Sequence, residues 1–329
     1  MREKGKQGQI VKALAGFYYV DTGGTAGTGG YASPAGCVDT DETADTVGCV
    51  DTDRGIGMDG KVYQCRARGI FKKDGITPLV GDYVRIILQD EEEGVVDEIL
   101  PRKNAFIRPP VANVDIFVVT VAAAEPEPSP ELTDRFLVTA EAADADACVC
   151  INKDDLSSVQ AKRLATVYEG IYPTIVMSAL TGEGLPALKE MIAGRSAAFA
   201  GASGVGKTSL IALLTGESSL ETGGVSARTG RGRHTTRHVE IFRFPDGTKI
   251  FDTPGFTSFE AAQAADLADM NIDALFPEFQ EYLGKCRFKD CIHENEPDCT
   301  VRRALERGEI KRSRYDSYIK IIREQRENG

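Results

Sequence analysis

The stretch GASGVGKTS at residues 201–209 has the residue types and the spacing of a phosphate-binding loop. It satisfies the pattern GxxxxGK[ST] between an apolar strand-like segment, SAAFA, and a helical segment, SLIALLTG. Successive backbone N–H groups of such a loop surround phosphates at the N-terminus of a helix. Lys207 then reaches the terminal phosphates, and the hydroxyl of Thr208 ligates Mg²⁺. The residues predicted to bind the phosphates are Gly201, Ala202, Ser203, Gly204, Val205, Gly206, Lys207, Thr208 and Ser209.

A second polar segment, NKDD at residues 152–155, follows the apolar segment ACVCI and has the residues of a guanine-reading NKxD motif. The carboxylate of Asp155 can accept hydrogen bonds from two guanine donors, whereas adenine would leave this charge unpaired. A further strand-like segment is followed by SAL, which matches the turn that supports the base in GTPases. The predicted base-binding residues are Asn152, Lys153, Asp154, Asp155, Ser178, Ala179 and Leu180.

A carboxylate for the same magnesium ion is found in DTPG, directly after the strand-like segment TKIF. Asp252 is predicted to hold Mg²⁺ through water, and the N–H of Gly255 is predicted to meet the γ-phosphate. The next residue is Phe256, where many GTPases carry a glutamine that orients the attacking water. A partner or another loop must therefore complete the hydrolytic site.

The loop TGRGRHTTRH, residues 229–238, is the candidate for that role. Thr235 or Thr236 is predicted to close on Mg²⁺ when the triphosphate is bound, and His234 is predicted to position the attacking water. Arg231 or Arg233 is predicted to contact RNA or to stabilise developing charge. The alternative is a basic loop with no catalytic role.

The order of these motifs differs from that of an ordinary GTPase, in which the guanine-reading motif follows the phosphate loop. Here residues 152–155 precede residues 201–209. A parallel sheet requires only that each loop lies at the carboxyl end of its own strand, whatever the order of the strands in the chain. The sequence therefore predicts a circularly permuted P-loop GTPase domain. The segment after DTPG then continues directly into the C-terminal region.

Three cysteines and one histidine lie close together near the C-terminus, at Cys286, Cys291, His293 and Cys299. A set of three thiolates and one imidazole suits tetrahedral Zn²⁺, and four protein ligands leave no open coordination position. The cluster therefore predicts a structural zinc site, in a segment with too little apolar content to fold well without metal. The alternative is a loop of unrelated cysteines.

Three domains are predicted to carry these motifs, so the chain has a multidomain α/β organisation. Residues 1–104 contain short strands separated by turn signals and predict a small β-barrel, with a mobile acidic insertion at 21–59. Residues 105–270 alternate buried strands with helices and predict a parallel sheet flanked by helices. Residues 271–329 predict a zinc-binding helical domain that ends in one helix over 301–327.

The net charge of −11 is mostly local, because residues 21–59 contribute −7 and leave −4 for the rest of the chain. Composition therefore does not exclude an RNA partner. Basic residues of the barrel strands and of the C-terminal helix either contact RNA or lie on a solvated surface. They are Arg66, Arg68, Lys72, Lys73 and Arg85 in the barrel, and Arg302, Arg303, Arg307, Lys311, Arg312, Arg314, Lys320, Arg323 and Arg326 in the helix.

A hydrophobic content of 42% and a charged content of 27% are ordinary for a soluble chain. No apolar run is long enough to span a bilayer, and the N-terminus lacks the apolar stretch of a secretory signal. We therefore expect a cytoplasmic protein without membrane contact. Cys148 and Cys150, two residues apart in a strand, are predicted to pack in the core rather than to bind a ligand.

Over nearly its whole length the chain resembles the RsgA/YjeQ family of GTPases that depend on the small ribosomal subunit. The resemblance rests on YVxxG, CRARG, PLVGD, RKNxxxRP and GASGVGKTSL, and on the cysteine cluster. It implies an OB-type barrel that contacts RNA, a permuted GTPase domain, and a zinc domain that uses the four clustered ligands. The acidic insertion departs from the family pattern.

The resemblance implies a GTP hydrolase that is stimulated by the small ribosomal subunit, acts late in the maturation of that subunit, and is released on hydrolysis. The expected partners are the subunit with its rRNA, together with GTP or GDP. The expected cofactors are Mg²⁺ and one Zn²⁺, and a monomer is expected. One alternative is an RNA-binding assembly factor in which nucleotide only stabilises a conformation. Another is a P-loop ATPase or kinase, which Asp155 disfavours.

Overall fold

The computed structural model of the chain describes residues 5–23, 61–73, 75–106, 109–216, 239–253 and 270–328. Most of the acidic insertion lies outside these ranges. The hydrolytic candidates His234, Thr235 and Thr236 also lie outside them, as do Gly255 and Phe256. The roles given to these residues therefore stay predictions.

The N-terminal part of the chain forms β1 (Lys6–Leu14), β2 (Phe17–Asp21), β3 (Val62–Ala67), α1 (Gly69–Lys73), β4 (Tyr83–Leu88) and β5 (Glu93–Ile99). The strands pair in the order β1-β2-β3-β5-β4, and β4 pairs back to β1, so the sheet closes into a barrel. Only β3 and β5 are parallel to each other. Alternate residues of the strands, such as Ile10, Val20 and Val84, are buried inside. The predicted barrel is confirmed.

The start of the acidic insertion differs from the prediction, because Asp21 is the last residue of β2 and is buried. Its carboxylate accepts a hydrogen bond of 2.5 Å from Nη1 of Arg243, which is 222 positions away in the chain. Because this partner is so distant in sequence, the residues around Asp21 give no indication that its carboxylate is buried. The prediction that residue 21 belongs to an exposed acidic loop is therefore wrong.

A small two-stranded sheet connects the barrel to the rest of the molecule, with β6 at Ala105–Phe106 and β7 at Val111–Ala112. The side chain of Asn104 bonds to both the N–H and the C=O of Val114, at 2.9 and 2.8 Å. The connection is thereby held by buried hydrogen bonds.

The central part of the chain forms a parallel sheet with helices between its strands. Its elements are β8 (Ile116–Ala122), α2 (Pro130–Ala142), β9 (Asp146–Asn152), α3 (Ser158–Tyr168), β10 (Thr174–Val176), α4 (Leu185–Ile192), β11 (Ser196–Ala200), α5 (Lys207–Thr215), β12 (Val239–Arg243) and β13 (Lys249–Asp252). The strands lie in the order β10-β9-β8-β11-β13-β12, and β12 runs antiparallel to β13. The central strand β8 is buried along its full length, as its continuous apolar sequence predicts.

The barrel and the parallel sheet share one ladder of hydrogen-bonded strands. Strand β1 pairs with β12 through Lys12 opposite Glu240 and Ala13 opposite Val239, which makes a single sheet of eleven strands. Arg243 of β12 binds Asp21 on the barrel side of this junction. The junction therefore combines backbone pairing with a largely buried ion pair, whose side chains are 16% and 3% exposed.

The C-terminal part has two helices, α6 (Thr300–Glu306) and α7 (Arg312–Asn328), preceded by 3₁₀ turns at Ile272–Leu275 and Pro277–Phe279. The single helix predicted over 301–327 is thus wrong, because the chain turns at Gly308, where φ is +76°. The apolar residues expected to pack inward do so. Ile310, Tyr315, Tyr318 and Ile322 are buried, and Ile319 is partly buried against the same cluster.

Arg314 is not a surface residue, which corrects its assignment to the exposed basic set. It is fully buried, and it bonds to Asp134 of α2 at 2.8 Å and to Glu278 at 2.7 Å. The guanidinium also lies 4.7 Å from the ring centroid of Phe276. Counting charges along a helix cannot distinguish a solvated arginine from one whose carboxylate partners come from other parts of the chain.

Cys148 and Cys150 lie in β9 and are fully buried in one apolar cluster, as predicted. Sγ of Cys150 is 3.1 Å from the sulfur of Met177 on the same side of the sheet. Among the helices of the described ranges, none combines the length and the apolar composition that crossing a bilayer requires.

Candidate nucleotide site and metal centre

The carboxyl ends of the five parallel strands bring the predicted motifs to one edge of the sheet. NKDD follows β9, SAL comes shortly after β10, the phosphate loop follows β11, and Asp252 ends β13. Strands β9 and β11 are separated only by β8, so their ends are about 10 Å apart by the usual strand spacing. The structure thus gathers motifs that are widely separated in the chain.

Two glycines of the phosphate loop are required by close contacts. Gly201 has φ of +141°, and a Cβ atom there would lie 2.1 Å from the carbonyl oxygen of Thr120 in β8. Gly206 has φ of +98°, and its Cβ would lie 2.3 Å from Nδ2 of Asn152. Any larger side chain would therefore push the loop away from its neighbours. Gly206 also precedes α5, whose first N–H groups open onto the loop.

Lys207 is held inside the loop that it follows. Its Nζ donates to the carbonyl oxygens of Gly201 and Ala202, each at 2.7 Å. Burial lowers the pKa of Lys207 to about 8, and the hydrogen-bond partners recorded for its ammonium group among the described residues are two carbonyl oxygens. A phosphate group would supply a negative charge.

Asn152 connects the base-side loops to the phosphate loop. Its Nδ2 donates to the carbonyl oxygen of Val205 at 2.8 Å, and its Oδ1 accepts from the N–H of Ala179 at 2.9 Å. The side chain is almost fully buried, at 1% exposure for the residue. One amide therefore fixes the positions of three loops relative to one another.

Asp155 is exposed and is oriented by the turn that follows β10. The hydroxyl of Ser178 donates to Oδ1 of Asp155 and accepts from the N–H groups of Leu180 and Thr181, both at 3.2 Å. This arrangement leaves the carboxylate at the surface of the loop with a second oxygen for a ligand. Lys153 lies beside it, with its ammonium group hydrogen-bonded to the carbonyl oxygen of Glu125.

The remaining predicted positions surround this arrangement. The N–H of Asp154 donates to the carbonyl oxygen of Met177 at 3.1 Å, which holds the NKDD turn against β10. Leu180 is 83% exposed beside Ser178. Residues predicted for the phosphate end lie at the loop surface or just beneath it: Ser203, Gly204 and Thr208 are exposed, Ser209 is half-buried and Val205 is buried.

Thr208 lies in the segment that follows β11, and Asp252 is the last residue of the neighbouring strand β13. Phe251, just before Asp252, pairs with Ala198 of β11, and β11 leads into the phosphate loop. Thr208 lies in the first turn of α5, immediately after that loop. A hydroxyl and a carboxylate are hard oxygen ligands of the kind that Mg²⁺ prefers, so these residues suit a magnesium ion beside bound phosphates.

The four predicted metal ligands converge on one point. The ligand atoms of Cys286, Cys291, His293 and Cys299 all lie within 4.8 Å of one another. Nδ1 of His293 is 3.6, 3.4 and 3.3 Å from the three sulfurs in chain order. Such a group of soft donors is able to hold a metal ion at its centre.

Asp273 belongs to this centre and was not predicted from the sequence. Its Oδ2 lies 3.2 Å from Nε2 of His293, on the side of the ring away from the sulfurs. This contact places the ring proton on Nε2 and leaves Nδ1 free to bind metal. Asp273 lies 20 positions before His293, so no short motif connects the two residues.

Aromatic residues of α7 fix the backbone around the same histidine. The hydroxyl of Tyr315 donates to the carbonyl oxygen of His293 at 2.6 Å, and the hydroxyl of Tyr318 donates to that of Ile292 at 2.9 Å. His293 itself adopts a φ of +62°, which these contacts hold in place. The metal centre is therefore built into the packing of the C-terminal helix.

Sequence comparison finds the same family across the chain. A family model described as the RsgA GTPase matches residues 99–262, and one described as the RsgA N-terminal domain matches residues 56–96. A protein from Caldanaerobacter subterraneus named small ribosomal subunit biogenesis GTPase RsgA is 42% identical over 98% of this chain and 96% of its own length. A Listeria monocytogenes protein of the same name, numbered 1, is 40% identical over 97% of both chains.

Solved structures show the same architecture. YjeQ from Thermotoga maritima aligns with a TM-score of 0.71 at 29% identity, covering 97% of this chain and 98% of the other. YloQ, described as a circularly permuted GTPase, aligns with a TM-score of 0.68 at 33% identity, covering 100% of this chain and 98% of the other. The permuted order of motifs is thus shared with a known structure.

Proposed function

The chain belongs to the RsgA GTPase family, and on that premise we propose that it hydrolyses GTP during biogenesis of the small ribosomal subunit. The observation that carries the proposal is the buried amide of Asn152, which bonds to the phosphate loop and to the SAL turn at once. This amide connects the two loops directly, at the edge of the sheet where both follow parallel strands. A guanine-reading loop and a phosphate loop held in this way form one composite site.

In this proposal the base end is read by Asp155, which accepts from guanine while Ser178 holds its other oxygen. Lys153 packs along the base. The SAL turn supports the base from beside Asp155, and its own N–H groups at Ala179 and Leu180 bond to Asn152 and Ser178. Adenine presents no matching donor pair, so it would leave the carboxylate of Asp155 unpaired. The site is therefore selective for guanine nucleotides.

At the phosphate end, the N–H groups of residues 201–209 surround the phosphates at the N-terminus of α5. Lys207 exchanges its two carbonyl partners for β- and γ-phosphate oxygens, a change that gives the partly buried ammonium group a negatively charged partner. Thr208 and Asp252 would hold Mg²⁺, which supplies neutralisation of the phosphate charge. The N–H of Gly255 would sense the γ-phosphate.

The group that orients the attacking water is proposed to come from the loop that contains His234, Thr235 and Thr236. We infer that contact with the small subunit orders this loop, because Phe256 cannot replace the usual glutamine. Subunit contact then stimulates hydrolysis, and loss of the γ-phosphate releases the protein. His234→Ala is expected to lower stimulated turnover while the affinity for GTP is unchanged.

We propose that the cysteine and histidine centre holds one structural Zn²⁺, because four soft donors converge and leave no open position. The division of labour follows the three regions: a barrel at 1–104 and a zinc domain at 271–329 that contact rRNA, and the GTPase domain at 105–270 between them. A monomer acting in the cytoplasm, where small subunits mature, is consistent with this role.

The test is GTP hydrolysis across a titration of purified small ribosomal subunits at several salt concentrations. The proposal predicts slow hydrolysis by the protein alone and a saturable acceleration by subunits that weakens as salt rises. Binding without acceleration would instead indicate an assembly factor in which nucleotide only stabilises a conformation. Equal affinity for ATP and GTP would contradict the role of Asp155.

A further inference from the structure

Phe288 stands out among the phenylalanines of the described ranges because its ring is exposed. It is 42% exposed, whereas the others are buried or half-buried. The exposed part of the ring gains nothing from the hydrophobic effect in the isolated protein, and aromatic side chains are enriched at binding interfaces. Nothing in the proposed nucleotide chemistry uses this residue.

The loop that carries the ring is short and anchored at both ends. Cys286 and Cys291 bound it, and both belong to the metal centre. The hydroxyl of Thr300 in α6 lies 3.1 Å from Sγ of Cys286, which ties the loop to the helix behind it. The ring is therefore presented on a rigid base, which reduces the entropy lost when a ligand orders it.

Three cations flank Phe288 in the sequence KCRFKDC. Lys285, Arg287 and Lys289 are all exposed, and the guanidinium of Arg287 lies 5.6 Å from the ring centroid of Phe288. Arg287 also approaches Asp298, but at 3.4 Å and with both side chains more than half exposed. An exposed pair of this kind contributes little, and Arg287 can exchange Asp298 for another anion.

We propose that Phe288 stacks on an unpaired base of single-stranded RNA, with Arg287 and its neighbouring lysines on the flanking phosphates. An exposed ring beside cations is the combination by which proteins bind unstacked nucleotides, since every base has a π-face and every nucleotide a phosphate. The inference rests on the proposed function, in which the partner is rRNA, and it assigns an RNA contact to the metal loop. A protein partner would need an apolar pocket for the ring instead.

The chain contains no tryptophan, so Phe288→Trp creates a single indole reporter at the proposed contact. The full-length variant is titrated with a short unstructured RNA oligonucleotide, a hairpin RNA without unpaired bases, and purified small subunits. The unstructured RNA is expected to quench the emission in a salt-sensitive way, and the hairpin is expected to leave it nearly unchanged. Equal quenching by both RNAs, or none, would overturn the proposal.

Substitutions then separate stacking from apolar burial. Loss of one stacked base weakens binding by roughly 5- to 150-fold. Phe288→Ala and Phe288→Leu should both bind the unstructured RNA more weakly by that factor, whereas Phe288→Tyr should keep the native affinity. Leu213→Ala, at an exposed apolar residue of α5, is the matched control and should bind like the native chain. Full affinity of Phe288→Leu for the unstructured RNA would show that an aromatic ring is not required and would refute stacking.

Metal content measured on each variant shows that the loop is intact. Failure of the native chain to bind small subunits would contradict the proposed function, whereas normal binding of subunits and of the oligonucleotide by Phe288→Ala would contradict only this inference. The oligonucleotide titration reads the contact directly and does not depend on GTP hydrolysis.

Discussion

Replacement of Arg314 by methionine tests how the C-terminal region is attached to the GTPase domain. Arg314 of α7 is fully buried and bonds to Asp134 of α2, which is also fully buried, and to Glu278, which is 7% exposed. Methionine fills much of the same space but supplies no positive charge. Both carboxylates would then lack the partner that compensates for their burial.

The expected loss of stability is large. Breaking a buried ion pair by removing one partner costs about 3–5 kcal/mol, because the remaining charge is left in a poorly solvated site. This is a substantial part of the roughly 5–15 kcal/mol that holds a typical protein folded. The loss of contacts between the guanidinium and the ring of Phe276, 4.7 Å away, adds to it.

The size of the defect should depend on pH. Burial raises the pKa of Asp134, and Arg314 opposes this effect in the native chain. Without Arg314 the pKa of the folded carboxyl rises further above its unfolded value of about 3.9. Protonation then relieves the buried charge at low pH, so the deficit is smallest there and grows as pH rises toward neutrality.

Urea unfolding followed by circular dichroism at pH 5 and pH 8 measures the effect, and the double variant Arg314→Met with Asp134→Leu is the control. The double variant should recover more than half of the loss, since it removes Asp134, the more deeply buried of the two orphaned carboxylates. A deficit below about 1 kcal/mol, or one of equal size at both pH values in the single variant, would refute the reasoning.

Three further predictions concern the two sites. Asp155→Asn should weaken GTP binding by roughly 10- to 150-fold and favour xanthosine triphosphate, whose 2-carbonyl accepts from the new amide; competition binding measures both. GTP affinity should be constant below the Lys207 pKa of about 8 and fall as pH rises above it, because phosphate binding then requires uptake of a proton; calorimetry in buffers of different ionisation enthalpy detects that proton. Asp273→Ala should weaken zinc binding by roughly 10- to 100-fold in competition with a chromophoric chelator, whereas Asp273→Asn, which keeps an acceptor for the His293 ring, should lose less.

Each of these has an outcome that contradicts it. Unchanged nucleotide preference in Asp155→Asn would remove this residue from base recognition. Lys207→Arg, which stays charged throughout, should bind GTP with a flat profile over the same pH range, and an equally steep profile would exclude Lys207 as the titrating group. Identical zinc affinity in both Asp273 variants and the native chain would show that the contact with His293 does not position the ligand.

The parts of the molecule that sequence predicted are those with short, contiguous signals. The phosphate loop requires glycines at Gly201 and Gly206, and the structure shows the close contacts that impose this requirement. The four residues of the cysteine and histidine cluster lie within a single short segment, so their residue types and density were sufficient to predict that they come together. The barrel and the parallel sheet were predicted from apolar patterns and turn residues that each occupy a short stretch of sequence.

The parts that sequence did not predict depend on pairs brought together by the fold. Arg314 and Asp134 are 180 positions apart, and each alone has the appearance of a surface residue in an amphipathic helix. Asp21 and Arg243 are 222 positions apart. Asp273 has no motif that connects it to His293. In each case the stabilising contact involves a partner that is too distant in sequence to appear in the same short segment.

The pairing of β1 with β12 means that a strand of the barrel also covers the edge of the parallel sheet. Without β1, β12 would be the outermost strand of the parallel sheet, with unpaired N–H and C=O groups facing solvent. An exposed edge strand of this kind can pair with the edge strand of another molecule, and such pairing starts aggregation. Strand β1 thus covers β12, which would otherwise be the edge strand of the parallel sheet. A GTPase region expressed without β1 should aggregate at protein concentrations at which the full-length chain does not.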